Sequence, residues 1–289
     1  MRKEIRMQLS FTKMEGLGND FIMLDDRDGV VLKKISYPML AQRLCSRRFG
    51  IGGDGIIIIL NSKTADIGFK IFNPDGSEPE MCGNGMRCFA QLVFERKIVT
   101  EQRFTVETLA GEIVPEIQLS DANQVEAVCV DMGEPILKPD LIPFKCKGKR
   151  AVNEKIQVNG REVSLTAVSM GNPHAVIFVD DVEVIDLEGL GRAIEIHPSF
   201  PAKTNVEFVQ VINDQELKMR VWERGAGETL ACGTGASAAL VAAALNGLTG
   251  SSALVHLAGG DLSIHWDQTN NHIFKTGPAT LVFTGTIEI

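Results

Sequence analysis

The chain repeats itself, and the repeat limits its fold more than any other feature. Met81-Cys82-Gly83-Asn84-Gly85 and Ala231-Cys232-Gly233-Thr234-Gly235 each set a cysteine at the mouth of a glycine turn. A helix-like segment follows each turn. Met86, Phe89, Ala90, Val93 and Phe94 make an apolar face over 85–97, and an alanine-rich run covers 236–246. The two cysteines lie about 150 positions apart, and Gly18-Asn19 and Gly171-Asn172 are separated by nearly the same interval. Each Gly-Asn precedes an apolar strand closed by paired aspartates, Asp25-Asp26 and Asp180-Asp181. Two landmarks at nearly one offset predict a duplicated, α+β fold of two pseudo-symmetric halves. Halves of that kind face each other across a pseudo-twofold axis, which would set Cys82 and Cys232 on opposite walls of one cleft.

Local patterns place strands around these landmarks. The segments 9–14, 21–24, 56–60, 67–72, 104–109, 112–119 and 125–131 read as strands in the first half, with a helix over 37–47. Ile56-Ile57-Ile58-Ile59 predicts a strand buried on both faces. In the second half, 155–158 and 162–169 read as a hairpin around Asn159-Gly160. Strands follow at 175–179, 205–212, 217–222, 252–257, 261–266, 271–275 and 279–289, with a helix over 186–195. Gly171-Asn172-Pro173-His174 and the segment 223–229 read as loops. The crossing between halves falls near Val125 to Pro135. That gives domains at 1–128 and 129–278, with the last strand, 279–289, returning to the first.

Bulk properties remove several classes of function. The 289 residues suffice for two domains of ordinary size. The net charge of −8, without a run of Lys or Arg, argues against nucleic acid as a partner. The apolar runs 56–60 and 238–245 are too short for a bilayer. Met1-Arg2-Lys3-Glu4-Ile5-Arg6 is charged, with no apolar signal core behind it, and reads as a frayed extension. The expected location is the cytoplasm.

The six cysteines are irregularly spaced, without a C-x-x-C pair, and the five histidines are scattered. Neither a secreted disulfide framework nor a structural zinc site is indicated. Cys45, Cys88, Cys129 and Cys146 read as small packing residues. A Cys82–Cys232 disulfide would be an inactive state. Neither glycine turn ends in the Lys-Ser/Thr of a P-loop, and Gly50-Ile51-Gly52-Gly53 lacks Rossmann spacing.

Cys82 and Cys232 read differently because each begins a helix. The unpaired N–H groups of a first helical turn carry partial positive charge, favour a thiolate and bind anions. Two such helix starts can hold a carboxylate and spread the charge that develops when the neighbouring carbon loses its proton. A thiolate on one face and a thiol on the other meet the requirement for inverting a stereocentre. No metal or cofactor is implied.

At these residues the chain resembles the diaminopimelate epimerases, members of a cofactor-independent group of amino-acid epimerases and racemases. The resemblance includes Lys13-Met14-Glu15-Gly16-Leu17-Gly18-Asn19-Asp20-Phe21, Gly50-Ile51-Gly52-Gly53-Asp54-Gly55 and Phe72-Asn73-Pro74-Asp75-Gly76-Ser77-Glu78. It also includes Glu80 through Cys88, Gly171-Asn172-Pro173-His174, Thr204-Asn205, and Glu223-Arg224-Gly225 through Gly235. It implies a mixed sheet wrapped around a central helix in each half and interconversion of LL- and meso-2,6-diaminopimelate, on the route to lysine and peptidoglycan. Cys82 and Cys232 would be base and acid, exchanging roles with direction. Gly83-Asn84 and Gly233-Thr234 would hold the reacting carboxylate through main-chain N–H groups. Asn19, Asn73, Asn172, Asn205, Glu223 and Arg224 would read the remaining ammonium and carboxylate groups. His174 is read either as orienting Cys82 or as plainly structural. A homodimer is implied. Gly55 stands where some members carry Gln, and Pro74 stands where a small residue is frequent.

Two rivals share these motifs. A proline or hydroxyproline racemase would use the same two cysteines on a smaller substrate. A non-catalytic amino-acid-binding module would bind without exchanging the α-proton.

Overall fold

The computed structural model describes residues 7–289; the expected N-terminal extension, residues 1–6, lies outside the described residues. The chain divides into two compact units. Unit 1 runs to Val130 and takes back Gly277–Ile289, and unit 2 is Asp131–Thr276.

Unit 1 starts with strands β1 (Gln8–Gly16) and β2 (Asn19–Asp25), then helix α1 (Tyr37–Leu44) and strands β3 (Gly55–Leu60) and β4 (Ile67–Phe72). Helix α2 (Gly83–Glu95) precedes the short β5 (Val106–Thr108) and β6 (Gly111–Ile113) and the pair β7 (Pro115–Leu119) and β8 (Val125–Asp131). Parallel neighbours need a crossover, which α1 supplies between β2 and β3 and α2 between β4 and β5. The sheet is buried on both faces, which explains the isoleucine run. Ile56 and Ile58 join Tyr37, Leu40 and Leu44 in the core beneath α1, and Ile57 points the other way, toward Gly85 of α2. Helix α1 ends at Leu44, short of the expected Arg47. There Ile51 and Gly52 donate their N–H groups to the Leu44 carbonyl at 2.9 Å each. A Cβ at Gly50 would collide with the Leu44 carbonyl oxygen, so glycine lets the loop close over the helix end.

Unit 2 begins with β9 (Glu154–Val158), β10 (Arg161–Ser169), β11 (Pro173–Phe178), α3 (Leu187–Glu195), β12 (Asn205–Asn213) and β13 (Glu216–Glu223). It continues with β14 (Gly227–Thr229), α4 (Gly233–Leu245), β15 (Ser252–Leu257), β16 (Gly260–Trp266) and β17 (Ile273–Gly277). Asn159 and Gly160, at φ of 51° and 76°, form the tight turn expected between β9 and β10. Helix α4 is apolar all round and buried from Gly235 to Ala243, as a central helix must be. Its alanines let β10–β13, β15 and β16 approach it closely. The opposite face of the sheet packs Val206 and Phe208 against Leu187 and Ile194 of α3. The chain then ends with β18 (Thr280–Glu288), antiparallel to β1 in unit 1.

The duplication expected from the sequence is present strand for strand. β1-β2-β3-β4-β5-β6 and β10-β11-β12-β13-β15-β16 are both joined in the order antiparallel, parallel, antiparallel, parallel, antiparallel. The α+β class and the mixed sheet around a central helix hold in each unit.

Several boundaries differ from those read in the sequence. The central helices start at Gly83 and Gly233, two and three residues earlier than expected, because the cysteines themselves are the N-caps. The expected strand 112–119 is two strands, since β6 pairs with β5 while β7 pairs with β8. Strand β11 begins at Pro173, a position where the missing N–H costs nothing. The 223–229 loop contains β14, paired to β13. Among the described residues no helix is long and apolar enough to cross a membrane.

Candidate active site

In unit 1, Cys82 has extended backbone (φ −136°, ψ 117°) and opens α2 without capping it through its side chain. It is half-buried. Its Sγ donates to Asn19 Oδ1 over 3.8 Å, and Asn84 Nδ2 donates to the same oxygen at 3.4 Å. Asn19 Nδ2 in turn donates to Asp54 Oδ2 at 2.7 Å. A charged cluster braces this end of β2. Asp20 pairs with Lys13 at 2.6 Å and with Arg47 at 2.7 Å, and Arg47 also reaches Asp54 at 2.7 Å. Burial alone would raise the Asp20 carboxyl, but Arg47 and Lys13 outweigh it and bring the group down to about 2.

In unit 2, Cys232 opens α4 in the same extended conformation (φ −125°, ψ 107°). Here the thiol does cap the helix: the Gly235 N–H donates to Sγ at 3.4 Å, and Thr234 Oγ1 lies at 3.5 Å. Cys232 is 4% exposed. Burial, then the nearby Glu223 and Glu207 carboxyls, push this thiol well above its ordinary range, against the opposing pull of Thr234 and Gly235. The resting group is a thiol.

Glu207 and His174 form a buried pair beneath this turn, Oε1 to Nδ1 at 2.6 Å. Burial raises the Glu207 carboxyl, with His174 opposing. The other ring nitrogen, Nε2, donates to Asn172 Oδ1 at 3.0 Å, since an amide oxygen can only accept. Asn172 Nδ2 completes the chain by donating to Thr234 Oγ1 at 3.4 Å. Glu207 Oε2 is buried without a partner among the described residues, a cost that a raised carboxyl lessens.

The sequence-predicted residues thus form a group in each unit. Asn19, Cys82, Gly83 and Asn84 gather in unit 1; Asn172, His174, Cys232, Gly233 and Thr234 gather in unit 2. His174 makes its side-chain bonds in the unit of Cys232. Glu223 stands at the end of β13 and accepts from Thr229 Oγ1. Asn205 is buried, donating to the Pro173 carbonyl at 3.0 Å and accepting from the Arg224 N–H at 2.9 Å. Arg224 is exposed, its guanidinium donating to the Ala202 carbonyl at 3.0 Å. Asn73 stands apart: its amide donates to Ser77 Oγ at 3.0 Å within its own turn.

Cys45 and Cys88 are buried packing residues, pushed up by burial to about 11 and about 12. Cys129 and Cys146 are only half-buried. Sequence reasoning missed Asp54, Arg87 and Glu207. A signal existed for Glu207, since a carboxylate interrupts the apolar run Val206 to Val209 of a strand.

The family model for diaminopimelate epimerase matches residues 11–138 and 166–282. A diaminopimelate epimerase of Desulforapulum autotrophicum is 79% identical over 283 residues, covering 98% of this chain and 100% of that protein. One of Heliobacterium modesticaldum is 52% identical, covering 97% and 100%. Among solved structures, a PhzF-family phenazine biosynthesis protein of Bacillus anthracis superposes with a TM-score of 0.72 at 16% identity, covering 98% of this chain and 100% of that one. A hydroxyproline epimerase of Agrobacterium vitis superposes at 0.68, also at 16% identity, covering 100% and 94%. These structural likenesses show the fold; the matched model and the relatives, spanning nearly the whole sequence, show that the chain belongs to the diaminopimelate epimerase family.

Proposed function

We propose that the protein interconverts LL- and meso-2,6-diaminopimelate by passing the α-proton between two cysteines, without a cofactor. The observation that carries this reading is that each unit of a chain from this family caps its buried central helix with a cysteine. In one direction a thiolate takes the α-proton: the Cα–H bond breaks, an S–H bond forms, and the carbon becomes planar. The second cysteine gives its proton to the other face. The high-lying thiol of Cys232 makes it the proton donor of the resting enzyme. A sulfur that holds its proton this firmly is also a strong base once ionised, which suits a weakly acidic α-carbon.

In this reading the first-turn N–H groups of Gly83-Asn84 and Gly233-Thr234 hold the reacting carboxylate and spread the charge of the carbanion. The amides of Asn19, Asn73, Asn172 and Asn205 serve a zwitterion, with both donors and acceptors. Glu223 accepts from an ammonium, and Arg224 grips a carboxylate. Such a set favours a long substrate charged at both ends over proline. The meso product feeds lysine and peptidoglycan synthesis. A cytoplasmic enzyme agrees with six cysteines whose irregular spacing does not suggest a secreted disulfide framework. A homodimer agrees with β18, an edge strand that exposes Leu281, Val282 and Phe283; a monomeric mass by sedimentation at micromolar concentration would remove that part.

Incubation with LL-diaminopimelate in D₂O tests the main reading. The expected product is the meso isomer with deuterium at the inverted carbon. Binding without label or inversion, or inversion of proline instead, overturns it.

A further inference from the structure

We propose that Arg87 is a positioning residue for Cys82, fixing the orientation of the Asn84 and Asn19 amides and setting a positive charge under the first turn of α2. The inference rests on the two-cysteine reading above. Arg87 is fully buried. Charged side chains are rarely enclosed without a counter-charge. Yet the acceptors Arg87 finds are uncharged: Nε donates to the Pro278 carbonyl at 3.0 Å and Nη1 to Asn84 Oδ1 at 3.0 Å. Nη2 is buried and finds no acceptor among the described residues. The ionisable groups that act on it are Cys88 and Cys82 of its own helix and Glu15 of β1.

The chemistry of the two ends sets the sense of the chain. A guanidinium has only donors, so Asn84 must turn its carbonyl oxygen toward Arg87 and its NH₂ away. That NH₂ donates to Asn19 Oδ1. At the far end the Asp54 carboxylate, which pairs with Arg47, only accepts, so Asn19 must turn its NH₂ toward it. Asn19 Oδ1 is left facing Asn84 and the Cys82 thiol. A donor-only end and an acceptor-only end therefore prevent either amide from flipping.

The fold does not require a cation here. The corresponding position of α4, five residues beyond Cys232, is Ser237, which donates to the Gly233 carbonyl at 3.0 Å. Unit 2 builds the same central helix in the same sheet without a guanidinium at that place. A residue needed only for packing has no reason to leave an N–H unpaired in one unit and to be dispensable in the other.

The test uses Arg87→Met and Arg87→Gln in the full chain. Three quantities are read: the thermal midpoint, epimerisation kinetics, and the pH dependence of Cys82 alkylation by iodoacetamide, followed on the Cys82 peptide by mass spectrometry. Arg87→Met is expected to stay folded, because apolar replacement of a buried charge is often neutral or stabilising. Its kcat should fall about 10- to 100-fold with KM nearly unchanged, as for a misplaced reacting group. Its Cys82 alkylation profile should move to higher pH, since a nearby cation is lost. Wild-type turnover with an unmoved profile overturns the proposal. If the methionine variant fails to fold, Arg87→Gln decides: it is neutral but retains a donor for Asn84, and an unmoved profile there is equally fatal. Alkylation needs no substrate, so this arm stands even if diaminopimelate proves not to be the substrate.

Discussion

The two units share strand order, pairing sense and a cysteine-capped central helix, yet the floor beneath each cysteine differs. In unit 1 a Cβ at Gly85 would meet Ile57 Cδ1 at 2.8 Å and Phe21 Cζ at 3.5 Å. In unit 2 a Cβ at Gly235 would meet Glu207 Oε1 at 2.8 Å. The registers match: Phe21 pairs with Gly55, two residues before Ile57, and His174 pairs with Asn205, two residues before Glu207. Phe21 and Ile57 thus hold the places that His174 and Glu207 hold in the other unit. Duplication supplied two similar helix starts, and divergence gave them different electrostatics. Cys232 sits over a buried acid–imidazole pair; Cys82 sits over hydrocarbon, with its charges at the rim and at Arg87.

The largest expected effect treats the cysteines as equals. Cys82→Ala and Cys232→Ala should each lower epimerisation by about 10³-fold or more, since removing one member of a catalytic unit disables the whole. Both should remain folded. The comparison predicts one difference: Cys232 is buried, so its replacement leaves more of a cavity and lowers the thermal midpoint further. Near wild-type turnover in either variant would end the two-base mechanism.

A smaller effect separates the floors. Glu207→Gln keeps shape but cannot hand a proton to His174. Turnover should drop about 100-fold, the lower end for an acid–base group. Cys232 should meanwhile alkylate at lower pH. Glu207 and Cys232 compete to ionise in one enclosed space, and removing one acid eases the other. Ile57→Val, at the matching place, should leave both quantities nearly unchanged. Equal losses in the two variants would show that the floors act only through packing.

Much of this was legible in the sequence because backbone patterns repeat locally. The Cys-Gly turns, the Gly-Asn pairs and the isoleucine run each predict their own structure. Failures arose where a distant partner decides. The 112–119 strand breaks because its two parts pair with different neighbours. Helix α1 stops early because a loop residue with no side chain folds back over its end. Arg87 lies between Met86 and Cys88, and nothing in its spacing says that it is enclosed. Asn73 matches a motif, and its amide also secures its own turn. Glu207 was the missed residue with a visible mark, a carboxylate in a strand whose neighbours are apolar.

The smallest expected effect concerns the rim. Asp20 follows the Gly-Asn landmark of unit 1, and at the same place unit 2 has Pro173, which carries no charge. The Asp20 carboxyl lies near 2 in the folded protein against 3.8 for the free side chain. A depressed carboxyl stabilises the fold fully above the unfolded value, and the contribution vanishes as pH falls through the folded one. Arg47 is 59% exposed, so solvent weakens its share, while Lys13 is enclosed. Asp20→Asn should therefore cost about 1 to 2 kcal/mol at pH 7. In urea titrations the gap from wild type should hold down to about pH 4 and close toward pH 2. A gap unchanged at pH 2 would mean that Asp20 acts through hydrogen bonding rather than charge, and that the rim is less of a contrast between the units than the floor.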